Sequence, residues 1–263
     1  AHAAKLAYQL QPGPSDRIRF PAHGPFDVRL GYVGLPQFSE RLQQQRFALT
    51  EQTRFNDALL AHVDRGWFAP YDEKTQAGLT VEDCRGESFY RFRYPHRAYA
   101  RFEDIPKVVW STLLYIENRD LLDPDRPYMN PAVDWIRFAR AAAGQAAQVV
   151  SDDFDTPGGS TLATQIEKYR HSPGGITQGG LEKVRQMASA AVRAYQPGER
   201  TLPARRQLVL EYLNTVPLSA APRHGEVNGL GDGLWVWFNA DFAQVNQHLS
   251  QPLGAGAQQQ AQG

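Results

Sequence analysis

The sequence predicts a mainly α-helical fold with a small β-hairpin and a mixed α/β N-terminal lobe. Three observations carry that expectation. In residues 79–95, Tyr90, Phe92 and Tyr94 alternate with Arg91 and Arg93, which is strand periodicity. From Ile105 to Val216 apolar residues recur at three- and four-residue intervals, the spacing of an amphipathic helix. With 263 residues, 42% of them hydrophobic, the chain can bury one large core or two small ones.

The bulk composition excludes several classes. Lys plus Arg and Asp plus Glu number 28 each, so no global field draws the chain to nucleic acid. The single Cys84 rules out an internal disulfide framework and any multi-cysteine zinc site. The seven histidines are scattered without ligand spacing, and no intrinsic metal site is expected. No apolar run approaches the roughly 18 residues needed to span a bilayer. The start at Ala1 and the Gln-rich end read as a piece of a longer protein, so the lack of a signal or anchor carries no weight.

Taken in order, residues 1–30 carry Pro12, Pro14, Pro21 and Pro25 and read as an irregular lead-in. A helix is expected over Pro36–Arg46, with Phe38 and Leu42 on one face. A second is expected from about Thr50 to Val63, carrying Phe55, Leu59 and Leu60 and stopped by Gly66 and Pro70. Arg85-Gly86 is the hairpin turn between Leu79-Thr80-Val81 and the aromatic run. Ile105, Val108, Val109, Thr112, Leu113 and Ile116 form one helical stripe, with Pro106 suited to its first turn. Asn130-Pro131 is a cap-and-start pair for a helix running through Ala141 toward Val150. Leu181, Val184, Ala188, Ala191, Val192 and Tyr195 share a face, as do Leu208, Val209, Tyr212, Leu213 and Val216 before Pro217. Residues 229–238 are glycine-rich, then aromatic. The segments 31–36 and 71–79 are distinctive but carry no nameable chemistry.

Two places could carry chemistry. Glu117 closes the Ile105–Ile116 stripe, where partial burial would raise a carboxyl pKa toward that of a general base. Arg119 would oppose that rise if it pointed inward, and an ordinary surface Glu is the alternative. Gly158-Gly159-Ser160-Thr161 opens a Lys-bearing helix whose first N–H groups suit an anion or sugar. Gln165 and Lys168 fall on one face there. A plain capped helix start is the alternative.

The order and spacing of these segments resemble the peptidoglycan glycosyltransferases, the transglycosylase domain of penicillin-binding proteins. Ile105-Pro106 followed by Glu117-Asn118-Arg119 is similar to that family's first-motif helix. Gly158-Gly159-Ser160-Thr161 matches the start of GGSTxTQQxxKN. Leu208–Asn214 matches ILxxYLN, with Arg205 at the usual Lys, and Gly225–Phe238 resembles the closing segment. The resemblance covers residues 79 to about 245. It implies a lysozyme-like helical domain with a jaw that dips into the membrane; Leu121, Leu122, Tyr128, Met129, Trp135, Ile136 and Phe138 are its apolar candidates and could equally be core. It also implies polymerisation of lipid II into glycan strands by inverting transfer with lipid pyrophosphate leaving. Glu117 would be the base and Lys168 and Lys183 the phosphate contacts. Ser160, Thr161, Gln165, Arg119 and Asn214 would bind substrate.

The sequence departs from the family pattern at several positions. Asn118 replaces Asp, Leu121 replaces Phe, Pro124 stands near the usual His, and Ala163 and Thr164 replace Thr and Gln. In the third motif, RKxxE, the family's second catalytic-site Glu becomes Gln186. Glutamine keeps hydrogen bonding but loses charge and proton. Glu182 lies one turn earlier on the same face, and Glu167, Asp152, Asp153 and Asp155 are further carboxylates. Two other readings therefore stand beside the transferase. One is a degenerate domain that grips glycan or lipid-linked precursor as a cell-wall assembly module. The other is a lysozyme-like hydrolase, which needs a second carboxylate about 5–10 Å from the first. The expected organisation is a membrane-proximal lobe over 1–78, with a partner-binding module as the alternative there, the transferase domain over 79–250 and a polar tail over 251–263. No cofactor is required; a divalent ion on the substrate pyrophosphate would leave no trace in the sequence. Expected partners are lipid II, the growing glycan, the membrane surface and cell-wall synthesis proteins, at the outer face of a bacterial cytoplasmic membrane.

Overall fold

A computed structural model describes residues 2–133 and 160–251. Within them the chain is mainly helical, with small antiparallel two-stranded sheets. The α-helices are α1 (Pro25–Arg29), α2 (Leu35–Gln44), α3 (Asp57–Asp64), α4 (Lys107–Glu117), α5 (Leu162–His171), α6 (Gly180–Tyr195), α7 (Leu202–Thr215), α8 (Gly229–Phe238) and α9 (Phe242–Leu249). The strands are β1 (Tyr8–Pro12), β2 (Glu51–Phe55), β3 (Ala77–Glu82), β4 (Ser88–Tyr94), β5 (Pro217–Ala221) and β6 (Gly225–Asn228). The chain divides into two compact units. One takes Ala1–Lys74 and Asp123–Arg205, and the other takes Thr75–Leu122 and Arg206–Gly263.

In the first unit β1 pairs with β2 from Tyr8↔Phe55 to Pro12↔Glu51. Two expectations are corrected here. The lead-in contains a strand, and the helix expected from Thr50 is a strand as far as Phe55. Asn56 separates the two conformations, because its side chain caps α3 by accepting from Leu59 N at 2.9 Å. Phe55 and Leu59 are therefore neighbours in the core on different elements. They pack with Leu6, and Tyr8, Ile18, Val63 and Val192 of α6 surround them. Helix α2 forms where expected but buries no residue, and Phe38 is exposed.

Helix α6 spans the expected residues, but its most buried face is the opposite one, with Val192 of the expected face still packed on the Leu6–Phe55–Leu59 cluster. Its buried residues are Glu182, Gln186, Ser189, Ala190 and Ala194, while Leu181 and Val184 are exposed. Polar groups are buried at such a face only when they are hydrogen-bonded or paired; here Glu182 and Gln186 bond Ser172, the residue that ends α5, and Ser189 Oγ accepts from Phe68 N. The loop before α1 approaches α5 without a side chain in between: a Cβ at Gly24 would overlap the Arg170 carbonyl oxygen and His171 Cα.

The second unit holds the predicted hairpin, β3–β4, with Leu79↔Phe92 and Val81↔Tyr90 in register. Its turn is fixed by Asp83, whose side chain accepts from Arg85 N and Glu87 N, with Gly86 at φ +81°. Helix α4 forms as expected, but its stripe is not the core face. Leu114 is its one buried residue, and Val108 and Ile116 are exposed. Leu121, a candidate for membrane contact, is fully buried. The hairpin β5–β6 was not foreseen. It follows Pro217 and returns to Gly229, where φ is +76° and a Cβ would overlap the Asn214 backbone. The helix expected after Asn130-Pro131 lies outside the described residues, as do Trp135, Ile136 and Phe138. Among the described residues no helix is long and apolar enough to cross a membrane.

Gly24→Ala should destabilise the protein by about 1–3 kcal/mol, because backbone rather than a flexible side chain must move aside. Urea unfolding of this variant against Ala22→Gly, at an exposed neighbour, measures it. Equal midpoints would contradict the contact.

Candidate active site

The residues singled out in the sequence fall in both units. In the first, Thr161 caps α5 and the cap is reciprocal. Thr161 Oγ1 accepts from Thr164 N at 3.3 Å, and Thr164 Oγ1 accepts from Thr161 N at 2.9 Å. Thr164, a departure from the family pattern, is thus the partner that closes the capping box. Ser160 Oγ lies 3.3 Å from Thr164 Oγ1 and accepts from Lys183 Nζ at 3.3 Å, which joins the second motif to the third. Gln165 and Lys168 are half-buried on α5. Gly158, Gly159, Asp152, Asp153 and Asp155 lie outside the described residues.

Gln186 is fully buried on α6. Its Nε2 donates to Ser172 Oγ and to Thr177 Oγ1, both at 3.0 Å. Ser172 Oγ in turn donates to Glu182 Oε1 at 2.6 Å, and Arg185 Nη1 donates to Glu182 Oε2 at 2.6 Å. The order of donors explains the residue type. The Ser172 hydrogen is committed to Glu182, so its oxygen requires a donor from the other side. An amide provides one and an ionised carboxylate cannot.

Behind this chain lies a buried ionic cluster. The Glu73 side chain, 2% exposed, contacts Arg170 Nη1 at 2.7 Å, His171 Nε2 at 2.5 Å and Arg193 Nη2 at 3.3 Å. His171 Nδ1 lies 2.9 Å from Asp27 Oδ1, and Arg193 Nε lies 2.7 Å from Glu167 Oε1. Burial disfavours the charged imidazole, but the Glu73 carboxylate and the Asp27 hydrogen bond outweigh it, and the His171 pKa rises from 6.5 to about 9. Burial likewise opposes the Glu73 charge, yet Arg193, His171 and Arg170 hold its carboxyl well below the usual range. Glu167, one of the further carboxylates, is a member of this cluster.

In the second unit, Glu117 is the last residue of α4 and is half-buried. Arg119 turns back over α4, its Nε donating to Tyr115 O at 3.2 Å and its guanidinium 3.9 Å from the Tyr115 ring centroid. The Tyr212 phenol of α7 is pushed up by burial and then by the Glu117 charge, which puts the two within electrostatic reach. Asn214 is buried and clamps the Tyr99 backbone, accepting from Tyr99 N at 2.8 Å and donating to Tyr99 O at 2.9 Å. Asp232, fully buried, accepts from His96 N at 2.8 Å and Arg97 N at 3.0 Å. Among the described residues no group of three or more His, Cys, Asp and Glu side chains is arranged to hold a metal ion.

Sequence reasoning passed over Tyr212, Ser172, Glu73 and Asp232. Tyr212 stood inside a quoted motif, and its place one helical turn before Val216 drew attention only as packing. Compared with known proteins, residues 85–259 match the family model described as Transglycosylase. No curated protein matches the chain.

Gln186→Glu should destabilise the protein by about 1–3 kcal/mol, because a second carboxylate then meets Ser172 and Glu182. The loss should grow as pH rises above the ordinary Glu range near 4.3, where the buried acid would have to ionise. Denaturant unfolding near pH 5 and near pH 8 checks both size and direction.

The wild type should also show an alkaline loss. The His171 contribution is fully present below 6.5 and disappears as pH rises through about 9. The Glu73 contribution has the opposite sense, present above 4.5 and lost on acidification. Melting temperatures should therefore fall on both sides of a neutral plateau, and His171→Gln should remove the alkaline fall.

Proposed function

Because the chain belongs to the transglycosylase family, we propose that it polymerises lipid II into glycan strands. The family match over 85–259 carries this reading, and within it Glu117 occupies the motif position of the base. In the proposed step, the acceptor sugar's 4-hydroxyl gives its proton to the Glu117 carboxylate as its oxygen attacks the anomeric carbon of the growing strand. The anomeric C–O bond to the pyrophosphate breaks, its electron pair leaves with the lipid pyrophosphate, and configuration inverts. Charge builds on the leaving group, so Lys168 and Lys183 are assigned to it. Ser160 is assigned to the substrate with them, since it is already linked to Lys183. Gln165 and Arg119 are assigned to substrate contact by motif position. Thr161 and Asn214 are assigned as positioning residues, one capping α5 and one holding the Tyr99 backbone.

Gln186 favours a second reading. A residue that cannot ionise stands where the family has a carboxylic acid, and its amide is engaged in holding Ser172 and Thr177. A domain that binds lipid-linked precursor or glycan without turnover would tolerate that exchange. In either case the site of action is assigned to the outer face of a bacterial cytoplasmic membrane, where lipid II is presented. Residues 79–250 are assigned as the transferase domain and 1–78 as a membrane-proximal lobe.

Labelled lipid II in detergent distinguishes the readings. The transferase makes polymer, and Glu117→Gln lowers the rate roughly a hundredfold to ten-thousandfold while leaving the melting temperature unchanged. Saturable lipid II binding without polymer identifies the binding module. Neither binding nor polymer would sink both.

A further inference from the structure

Helix α2 is ten residues long and buries none of them. Leu35, Phe38 and Leu42 recur at intervals of three and four residues, so they share one face. Phe38 on that face is 57% exposed. The helix ends with Arg46 at φ +66°, where Arg46 N donates to Gln43 O and Phe47 N donates to Leu42 O. Such an ending folds the apolar residue after the helix back beside the last turn. Phe47, 63% exposed, therefore continues the face from Leu42.

The charges are sorted about that face. Glu40 is two residues from both Phe38 and Leu42, which turns it to the opposite side of the helix. Arg41 is three residues from Phe38 and stands at the edge of the apolar face, while Arg46 stands at the helix end. Both arginines are exposed, and among the described residues neither pairs with a carboxylate. The left-handed position of Arg46 usually belongs to glycine or asparagine, so the chain keeps a cation there at some cost in backbone energy.

The size of the face selects its partner. A ten-residue helix is about 15 Å long, and the side chains along it cover far less than the roughly 800 Å² per partner of a stable protein interface. A bilayer surface sets no such minimum, because it has no fixed shape to match. Apolar side chains sink past the headgroups, and arginines at the edge of the face reach the phosphates.

We propose that α2 is an interfacial lipid-binding helix that lies flat on an anionic phospholipid surface. Leu35, Phe38, Leu42 and Phe47 sit below the headgroups, Arg41 and Arg46 meet the phosphates, and Glu40 stays in water. This contact involves none of the residues assigned to sugar transfer and holds whether or not the chain is a transferase.

The test uses the full chain with Cys84→Ser and one new cysteine, Phe38→Cys or Glu40→Cys, carrying an environment-sensitive fluorophore. Vesicles are made of phosphatidylcholine, alone or mixed with phosphatidylglycerol, and contain no lipid II. On the mixed vesicles the label at position 38 should shift to the blue and become shielded from iodide, while the label at position 40 stays accessible. In flotation of the unlabelled chain at low salt, Arg41→Gln with Arg46→Gln should weaken partitioning about five- to thirtyfold. The proposal is overturned if the two labels respond alike, or if the double variant partitions as the wild type does. A blue shift at position 38 that follows protein concentration without vesicles would mark a second copy on this face and overturn it as well. Glu117→Gln should bind these vesicles unchanged, so a silent transferase and an absent lipid contact give different results.

Discussion

Burying the Glu73 carboxylate is the demand around which the first unit is organised. An ion removed from water loses several kcal/mol of solvation unless opposite charges and hydrogen bonds replace it. Arg170 and His171 from α5 and Arg193 from α6 provide those charges, while Asp27 and Glu167 balance the surplus cations. This explains why α6 turns its polar face inward. Glu182, Gln186, Ser189 and Arg193 recur at helical spacing on the side that meets α5, and each has a partner there or in the adjoining loops. Gln186 is therefore part of a continuous polar seam as well as a motif position.

The second unit is held by a different device. Neutral and charged side chains reach across to backbone groups: Asn214 to both polar atoms of Tyr99, and Asp232 to consecutive amides at His96 and Arg97. Such contacts satisfy loop backbone that no strand or helix serves. They fix the approach to α4, and with it the residue at its end, Glu117. The Asn214 clamp contains no titratable group, unlike the Glu73 cluster.

Much of this was legible in the sequence because it is local. The hairpin, α6 and α7 stood where periodicity and punctuation put them, since both signals act over a few residues. The β1–β2 pairing was not legible, because it joins Tyr8 to Phe55 and neither segment alternates clearly. The inward face of α6 was misread for a related reason. Hydropathy ranks Leu181 and Val184 above Glu182 and Gln186, and the partners that reverse that order, Ser172, Thr177 and Arg185, are found only in the folded chain. Glu73 sat in a segment with no recognisable pattern, and its role exists only once Arg170, 97 residues away, is beside it. For the candidate site, the motifs name Glu117, Ser160 and Lys183 as candidates, while the links among Ser172, Gln186 and Glu182 are visible only in three dimensions.

That long separation has a consequence for how the molecule comes into being on the ribosome. Asp27 and Glu73 emerge early, but their cationic partners belong to α5 and α6 and follow only after the whole stretch 75–122 of the other unit has been made. At about 5–20 residues per second, the delay between Glu73 and Arg170 is roughly 5–20 seconds. During that interval the N-terminal part has its small Leu6–Phe55–Leu59 cluster and its Arg19–Asp64 pair but lacks Val192 and the cations that surround Glu73. The nascent first unit therefore waits in an open, hydrated form, and its final closure is a late event in the life of the chain.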